Sequence, residues 1–422
     1  MRRRAFLGLT GCGALALTVA ACTADKASSA RTTAAGSDGA AAESGSAMAS
    51  PEAAWSRADG LPFGVRGLGA SAPVDLPDAV TASTSSPLWS FGGDYSLIGS
   101  FPLDTTTVFG STTSTPDDVA SSVPALITAT GARTWDGWDE AMGDVYLEPQ
   151  DATGDDDLIV MRATPIDEGT LGASRVDDWV LFALRTDLSD VTRLCAASDL
   201  NPGGDTPVLD ADIVPMLVGD RVVFASLTQG EDDDSWTPVV LTCPVGGGDP
   251  VVVGSGLFPA VTGKQILYGA LASDGASVTR VVAEGEEDES LAEVEPGDGS
   301  WSVTGLWAAQ SHRALAVSGD GDSGTYLATW DEDRPEAAQW WHVPSATLVA
   351  SANADRLVFG AGSQSEHAQM YAYSWGEDTP ELLGACPGGA RPQTAPSGGA
   401  VLVPRLDDGA AAFAYDVVDL DS

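Results

Sequence analysis

TWDGWDE, residues 134–140, sets Trp135 and Trp138 among Asp136, Asp139 and Glu140. An indole face beside a carboxylate suits a sugar ring or an organic cation, because the ring stacks while the acid supplies charge and hydrogen-bond acceptors. The glycine and acids around the two indoles predict a loop, so Trp135 and Trp138 are the aromatic residues expected to meet a ligand. Most of the other tryptophans, of twelve in all, are expected to pack between strands. A second acidic stretch, DGDSG at 320–324, places Asp320 and Asp322 at the alternating positions that open a calcium loop. The rest of that pattern, with its terminal Glu, is missing, so a plain turn is the simpler reading and calcium the one ion to test.

Other chemistry is sparse. The three histidines, His312, His342 and His367, share no metal-ligand spacing, and no CxxCH, GxSxG, phosphate loop or helix-opening GxGxxG occurs. Cys195, Cys243 and Cys386 each fall in an apolar strand pattern. Their odd number reads as buried thiols, with a Cys195–Cys243 bridge as the alternative. Paired carboxylates could cleave a glycosidic bond, but 61 Asp and Glu residues make such pairs unavoidable by chance. No catalytic residue is assigned, and no cofactor is expected.

Charge narrows the partners. Against those 61 acids stand 20 Lys and Arg, a formal net charge of −41. A polyanion would be repelled, which excludes nucleic acid as a partner. The same self-repelling surface favours a soluble monomer.

The N-terminus says where the protein should work. Residues 2–4 are arginines, residues 5–21 are apolar but broken by Gly8, Gly11 and Gly13, and Val19, Ala20 and Ala21 precede Cys22. The run is short for a membrane span, which needs about 20 consecutive apolar residues, and fits a cleaved signal peptide over 1–21. Arg3, Arg4, Phe6 and Leu7 resemble the twin-arginine export motif, although Arg2 and Gly8 depart from it and leave the general secretory route open. Val19-Ala20-Ala21-Cys22 resembles a bacterial lipobox, which implies that Cys22 becomes a lipidated first residue. Acyl chains on that cysteine would hold the protein on a membrane, outside the cytoplasm. Residues 23–50, nearly all Ala, Ser, Gly and Thr, lack the apolar side chains needed to offset ordering entropy. A lipidated tether is therefore expected over 22–84 and a folded domain over 85–422.

That domain reads as repeats. Short apolar strands start at 221 (RVVFASL), 264 (KQILYGAL), 313 (RALAVSG), 356 (RLVFGAG) and 400 (AVLVPRL), spaced by 43, 49, 43 and 44 residues. Each follows a tight turn and an earlier short strand, and each of the first four precedes two more strands. Four strands per 40 to 50 residues is the period of a β-propeller blade. One further unit fits around DLIVMRA at 157, and the last unit stops one strand short. A strand from YSLIGSF (95–101) or TTTVFGS (105–111) would complete it, giving an all-β ring of six four-stranded blades. If residues 85–150 form a blade of their own, the count is seven.

A six-bladed ring behind such a leader resembles the TolB-like propellers of the bacterial envelope, although the Ser-Pro-Asp-Gly turn of that group is absent from the turns here. The resemblance implies architecture, since propellers carry many unrelated functions. A rigid ring on a long tether, without a convergent nucleophile, base and orienting group, points to a binding or scaffolding domain for an envelope protein or glycan. The competing class is a carbohydrate-active hydrolase or lyase with two carboxylates in the central funnel and Trp135 or Trp138 stacking the sugar.

Overall fold

A computed structural model describes residues 55–78, 86–92, 95–112, 123–143, 147–165, 179–201, 214–229, 236–263, 265–270, 279–283, 289–295, 301–319, 324–343, 348–362, 367–387, 391–406 and 413–421. Three short strands come first: β1 (Gly64–Arg66), β2 (Val74–Asp75) and β3 (Trp89–Phe91). Blade 1 follows with β4 (Tyr95–Pro102), β5 (Thr107–Thr112), β6 (Val123–Thr128) and β7 (Gly131–Thr134). A one-turn helix, α1 (Trp138–Met142), leads into blade 2, which holds β8 (Leu147–Gly154), β9 (Leu158–Pro165), β10 (Val180–Arg185) and β11 (Val191–Ala196). After α2 (Ala197–Leu200), blade 3 has β12 (Met216–Val218), β13 (Arg221–Gln229), β14 (Trp236–Pro244) and the first half of β15 (Val251–Thr262). Blade 4 takes the second half of β15 with β16 (Gln265–Ala270), β17 (Thr279–Ala283) and β18 (Glu289–Glu295). Blade 5 is β19 (Trp301–Ala309), β20 (His312–Gly319), β21 (Thr325–Asp331) and β22 (Gln339–Val343). Blade 6 is β23 (Leu348–Ala352), β24 (Arg356–Ala361), β25 (His367–Ser374) and β26 (Glu381–Pro387). Blade 7 has β27 (Gln393–Thr394), β28 (Ala400–Leu406) and β29 (Phe413–Asp419).

The strands form six antiparallel-dominated sheets whose first strands pack in sequence around a ring, β27 returning to β4. This is the β-propeller that the repeat predicts. One sheet is double: β15 pairs with β14 through Val251–Ser255 and with β16 through Gly256–Thr262. The six sheets therefore contain seven four-stranded blades, the count reached when the region before residue 150 forms its own. In the sequence β15 reads as two strands, PVVVGSG and LFPAV. The register shift between Leu257 and Ala260, with Phe258 at φ 55°, turns the chain from one blade to the next without a loop.

Middle strands explain why the repeat is legible. All six residues of β24 are buried, as are seven of the eight in β9, because blades cover both faces of these strands. Such strands read as continuous apolar runs rather than as alternation.

Closure differs from expectation. Strand β3 pairs with β29 (Trp89↔Val417, Ser90↔Asp416, Phe91↔Tyr415) and completes blade 7. Residues 95–111 instead supply the first two strands of blade 1. The reason is supply of partners: β6 and β7 lie next in the chain and pair with β5, so β4 and β5 find a complete local sheet, and Trp89 and Phe91 are left to stack on Tyr415.

The segment before β3 is a strap along the outside of the ring, and it begins well inside the stretch read as tether. Strand β1 adds antiparallel to the outer edge of β18 in blade 4, and β2 adds parallel to β22 in blade 5. Phe63, fully buried, enters a cage of Trp301, Tyr326 and Trp340 with ring centroids 5.2 to 5.6 Å away. The strap lies backbone against backbone: a Cβ on Gly67 would strike the Leu291 carbonyl, and one on Gly69 the Glu336 carbonyl. Gly69 donates its N–H to Pro335 O at 2.8 Å and accepts from Trp340 Nε1 at 2.9 Å. Arg66 pairs with Glu293 at 2.8 Å while its guanidinium lies 4.2 Å over the Trp55 ring. A glycine-rich run without apolar period gives no strand signal, so the sequence hides this segment.

Candidate functional site

Where the strap leaves blade 5 for blade 6 it walls a small cleft of about 220 Å³. Asp75, Pro77 and Asp78 form the strap side, and His342, Gln369 and Tyr371 the blade side. The register Asp75↔His342 sets the acid beside the imidazole, with Oδ1 3.3 Å from Nδ1. The His342 ring packs on Tyr326, centroids 5.1 Å apart, and Tyr371 Oη donates to Pro77 O at 3.2 Å. Burial raises the Tyr371 phenol above its usual range, and the nearby Asp78 charge adds to the shift; burial and then Asp75 do the same for Tyr326. Both tyrosines therefore stay protonated donors. The Asp75 side chain is 90% exposed, so its charge is screened by water and pairs only weakly with His342. The cleft can accept a small polar or cationic group through its acids. Its one phenol donor in the wall is already engaged with the strap.

A second polar cluster sits on the turn between β19 and β20. Ser311 Oγ donates to Asp331 Oδ2 at 3.1 Å, and His312 Nδ1 lies 3.7 Å from the same oxygen. His312 stacks flat on Trp375 of blade 6, 5.1 Å away and 9° from parallel, and Trp375 Nε1 donates to Asn353 O at 2.8 Å. The backbone N–H of Asp333, and then the Ser311 hydroxyl, hold the Asp331 carboxyl below its usual range. In a nucleophile relay the serine binds the histidine and the acid orients that histidine. Here serine and histidine both converge on the acid. This arrangement locks a turn to the next blade and leaves the serine hydroxyl unactivated.

The two tryptophans expected to meet a ligand lie instead in the interior. Trp135 and Trp138 are 2% and 1% exposed, within the cluster that joins blades 1 and 2. Trp135 Nε1 donates to Arg185 O at 2.8 Å, and Trp138 packs on Phe182 at 5.0 Å. Trp135 lies in an irregular stretch as expected, whereas Trp138 opens a one-turn helix that rotates it inward and leaves Asp139 and Glu140 outside. Burying two large apolar surfaces outweighs the preference of their polar neighbours for water. Asp320 and Asp322 lie outside the described residues, as do Arg3, Arg4, Phe6, Leu7 and Cys22. Among the described residues no three His, Cys, Asp or Glu side chains converge as metal ligands.

Sequence reasoning passed over one repeated residue. An arginine follows the tight turn in RVVFASL, RALAVSG and RLVFGAG, and each one is tied down beside that turn. Arg221 donates to Thr242 Oγ1, Arg313 to the Gln310 and His312 carbonyls and to Glu332, and Arg356 to Asp421. The repeat itself was the signal. These arginines bond a strand hydroxyl, turn carbonyls and carboxylates, and they hold the ring rather than a ligand.

No protein family and no curated protein matches the sequence. Among solved structures, the acylaminoacyl peptidase of Pyrococcus horikoshii is 10% identical, with a TM-score of 0.44 over 69% of this chain and 45% of that one. The oligogalacturonate lyase of Vibrio parahaemolyticus is 11% identical, with a TM-score of 0.44 over 84% and 98%. TolB of Acinetobacter baumannii is 10% identical, with a TM-score of 0.37 over 68% and 82%. The chain spans under half the length of the peptidase. Likeness at this level transfers no activity.

Proposed function

We propose that this protein is a membrane-tethered binding or scaffolding propeller of the cell envelope, exported through Arg3, Arg4, Phe6 and Leu7 and held by lipid on Cys22. The strap carries the reading. A tether over residues 22–54 would enter the ring through a segment seated on blades 4, 5 and 6 and then paired into blade 7. Anchored so, the ring moves as one platform and presents its loops to an envelope protein or glycan. With Trp135 and Trp138 buried, the pair expected to stack a sugar is off the surface, which favours binding over a hydrolase or lyase that would use those two residues.

The test is a turnover and binding screen on purified residues 51–422 with oligosaccharides and phosphoesters, with and without calcium. The proposal expects no turnover, and saturable binding of one glycan class or cross-linking in cells to one envelope protein. Turnover that disappears when a single funnel carboxylate is replaced would establish the enzyme instead.

A further inference from the structure

Cys195 on β11 of blade 2 and Cys243 on β14 of blade 3 come from units 48 residues apart, yet their sulfurs lie 3.7 Å from each other. Both are buried, 2% and 1% exposed, among Leu181, Leu194, Val222 and Leu241. Cys386, also a free thiol, sits in blade 6, in a separate cluster. We propose that Cys195 and Cys243 are a disulfide site that staples blade 2 to blade 3 once the chain is outside the cytoplasm. The context rests on the export reading above; the geometry does not.

A sulfur–sulfur bond is about 2 Å long, so side-chain rotation must close the remaining gap. The two thiols face each other across the boundary between blades 2 and 3, so a bridge there would join two separately formed sheets. Either cysteine can supply the attacking thiolate, here taken as Cys243. The oxidant is a disulfide, either a small-molecule disulfide or that of an exported oxidoreductase. Cys243 Sγ⁻ attacks one sulfur of the oxidant, the oxidant's S–S bond breaks, and one thiol leaves. The Cys195 thiol loses its proton and attacks Cys243 Sγ in the mixed disulfide, releasing the second thiol. Two protein thiols are oxidised and one disulfide is reduced to two thiols. Burial of both sulfurs means that the exchange proceeds during local opening of the two blades. The closed loop then restricts the unfolded chain and raises the melting temperature.

Residues 51–422 are produced in a reducing cytoplasm, purified reduced, and refolded with or without oxidised glutathione. Thiols are counted after denaturation, and peptides are mapped by mass. The proposal expects three thiols in the reduced protein and one after oxidation, a loss of two hydrogens, a 195–243 cross-linked peptide, and a higher melting temperature that falls back on reduction. Cys243→Ser should leave Cys195 free and abolish the reversible shift. Three free thiols after oxidative refolding, or a link that involves Cys386, would overturn the staple. The same count on protein isolated from cells separates the two readings: a bridge that forms in the tube but is absent in cells contradicts export and leaves the site standing.

Discussion

Phe63 fixes the strap because three aromatic rings surround it and no water reaches it. Phe63→Ala is expected to cost about 3–5 kcal/mol, as a large side chain lost from a packed core does. Ion pairs should not behave alike. Asp151 and Arg162 face each other in register between β8 and β9, both at most 5% exposed, so Asp151→Ala leaves a buried guanidinium without its partner and is expected to cost about 3–5 kcal/mol. Arg57 and Glu295 pair at 2.9 Å on the surface, and Glu295→Gln should cost under about 1 kcal/mol. Urea unfolding of the three variants reads the ordering directly. For pH, Asp331 binds its proton less readily folded than unfolded, so its contribution is present above the ordinary carboxylate range and is lost as pH falls through its lower folded value. Asp331→Asn should flatten the stability profile below about pH 4 and leave it unchanged in slope near pH 7. An unaltered acid limb would show that the Asp333 N–H and Ser311 hydroxyl do not favour the carboxylate.

The strap is the element that makes the ring more than a row of blades. It caps the outer edges of β18 and β22, and β3 after it supplies the fourth strand of blade 7. Gly69→Ala should lift it, since the added Cβ meets the Glu336 backbone rather than a side chain that can move. Faster amide exchange over residues 55–78, with blades 1 to 3 unchanged, is the expected result. Starting the chain at residue 80 should expose two sheet edges and the Phe63 cage, and produce oligomers on size exclusion. A well-behaved monomer from that truncation would mean that the strap is dispensable. The elements differ in how far the sequence announced them. Strands buried on both faces, such as RLVFGA, declare themselves by an unbroken apolar run. β8, LEPQDATG, does not, because Pro149 and a register shift between Pro149 and Asp151 interrupt it and Asp151 faces an ion pair rather than an apolar neighbour. β1 and β2 are three and two residues long, and nothing in so short a span has a period. Trp135 and Trp138 show the opposite failure: the glycine and acids beside them mark an irregular stretch at Trp135 but hide the helical turn that opens at Trp138, and the burial of both is decided by blade 2, through Arg185 and Phe182.

At the scale of the molecule, net charge and closure act together. A formal charge of −41 discourages nonspecific contact with anionic lipid, so a protein of this composition would need a covalent means if it is to stay at a membrane. Cys22 is that means in the proposal, in which the strap and β3 would transmit the hold to four successive blades. Fractionation of cells expressing the wild type and Cys22→Ser, each washed in high salt and challenged with protease, tests the claim most directly. The account predicts that the wild type stays with the membrane and that Cys22→Ser moves to the soluble fraction as an equally protease-resistant ring. Cys22→Ser remaining on washed membranes would contradict it.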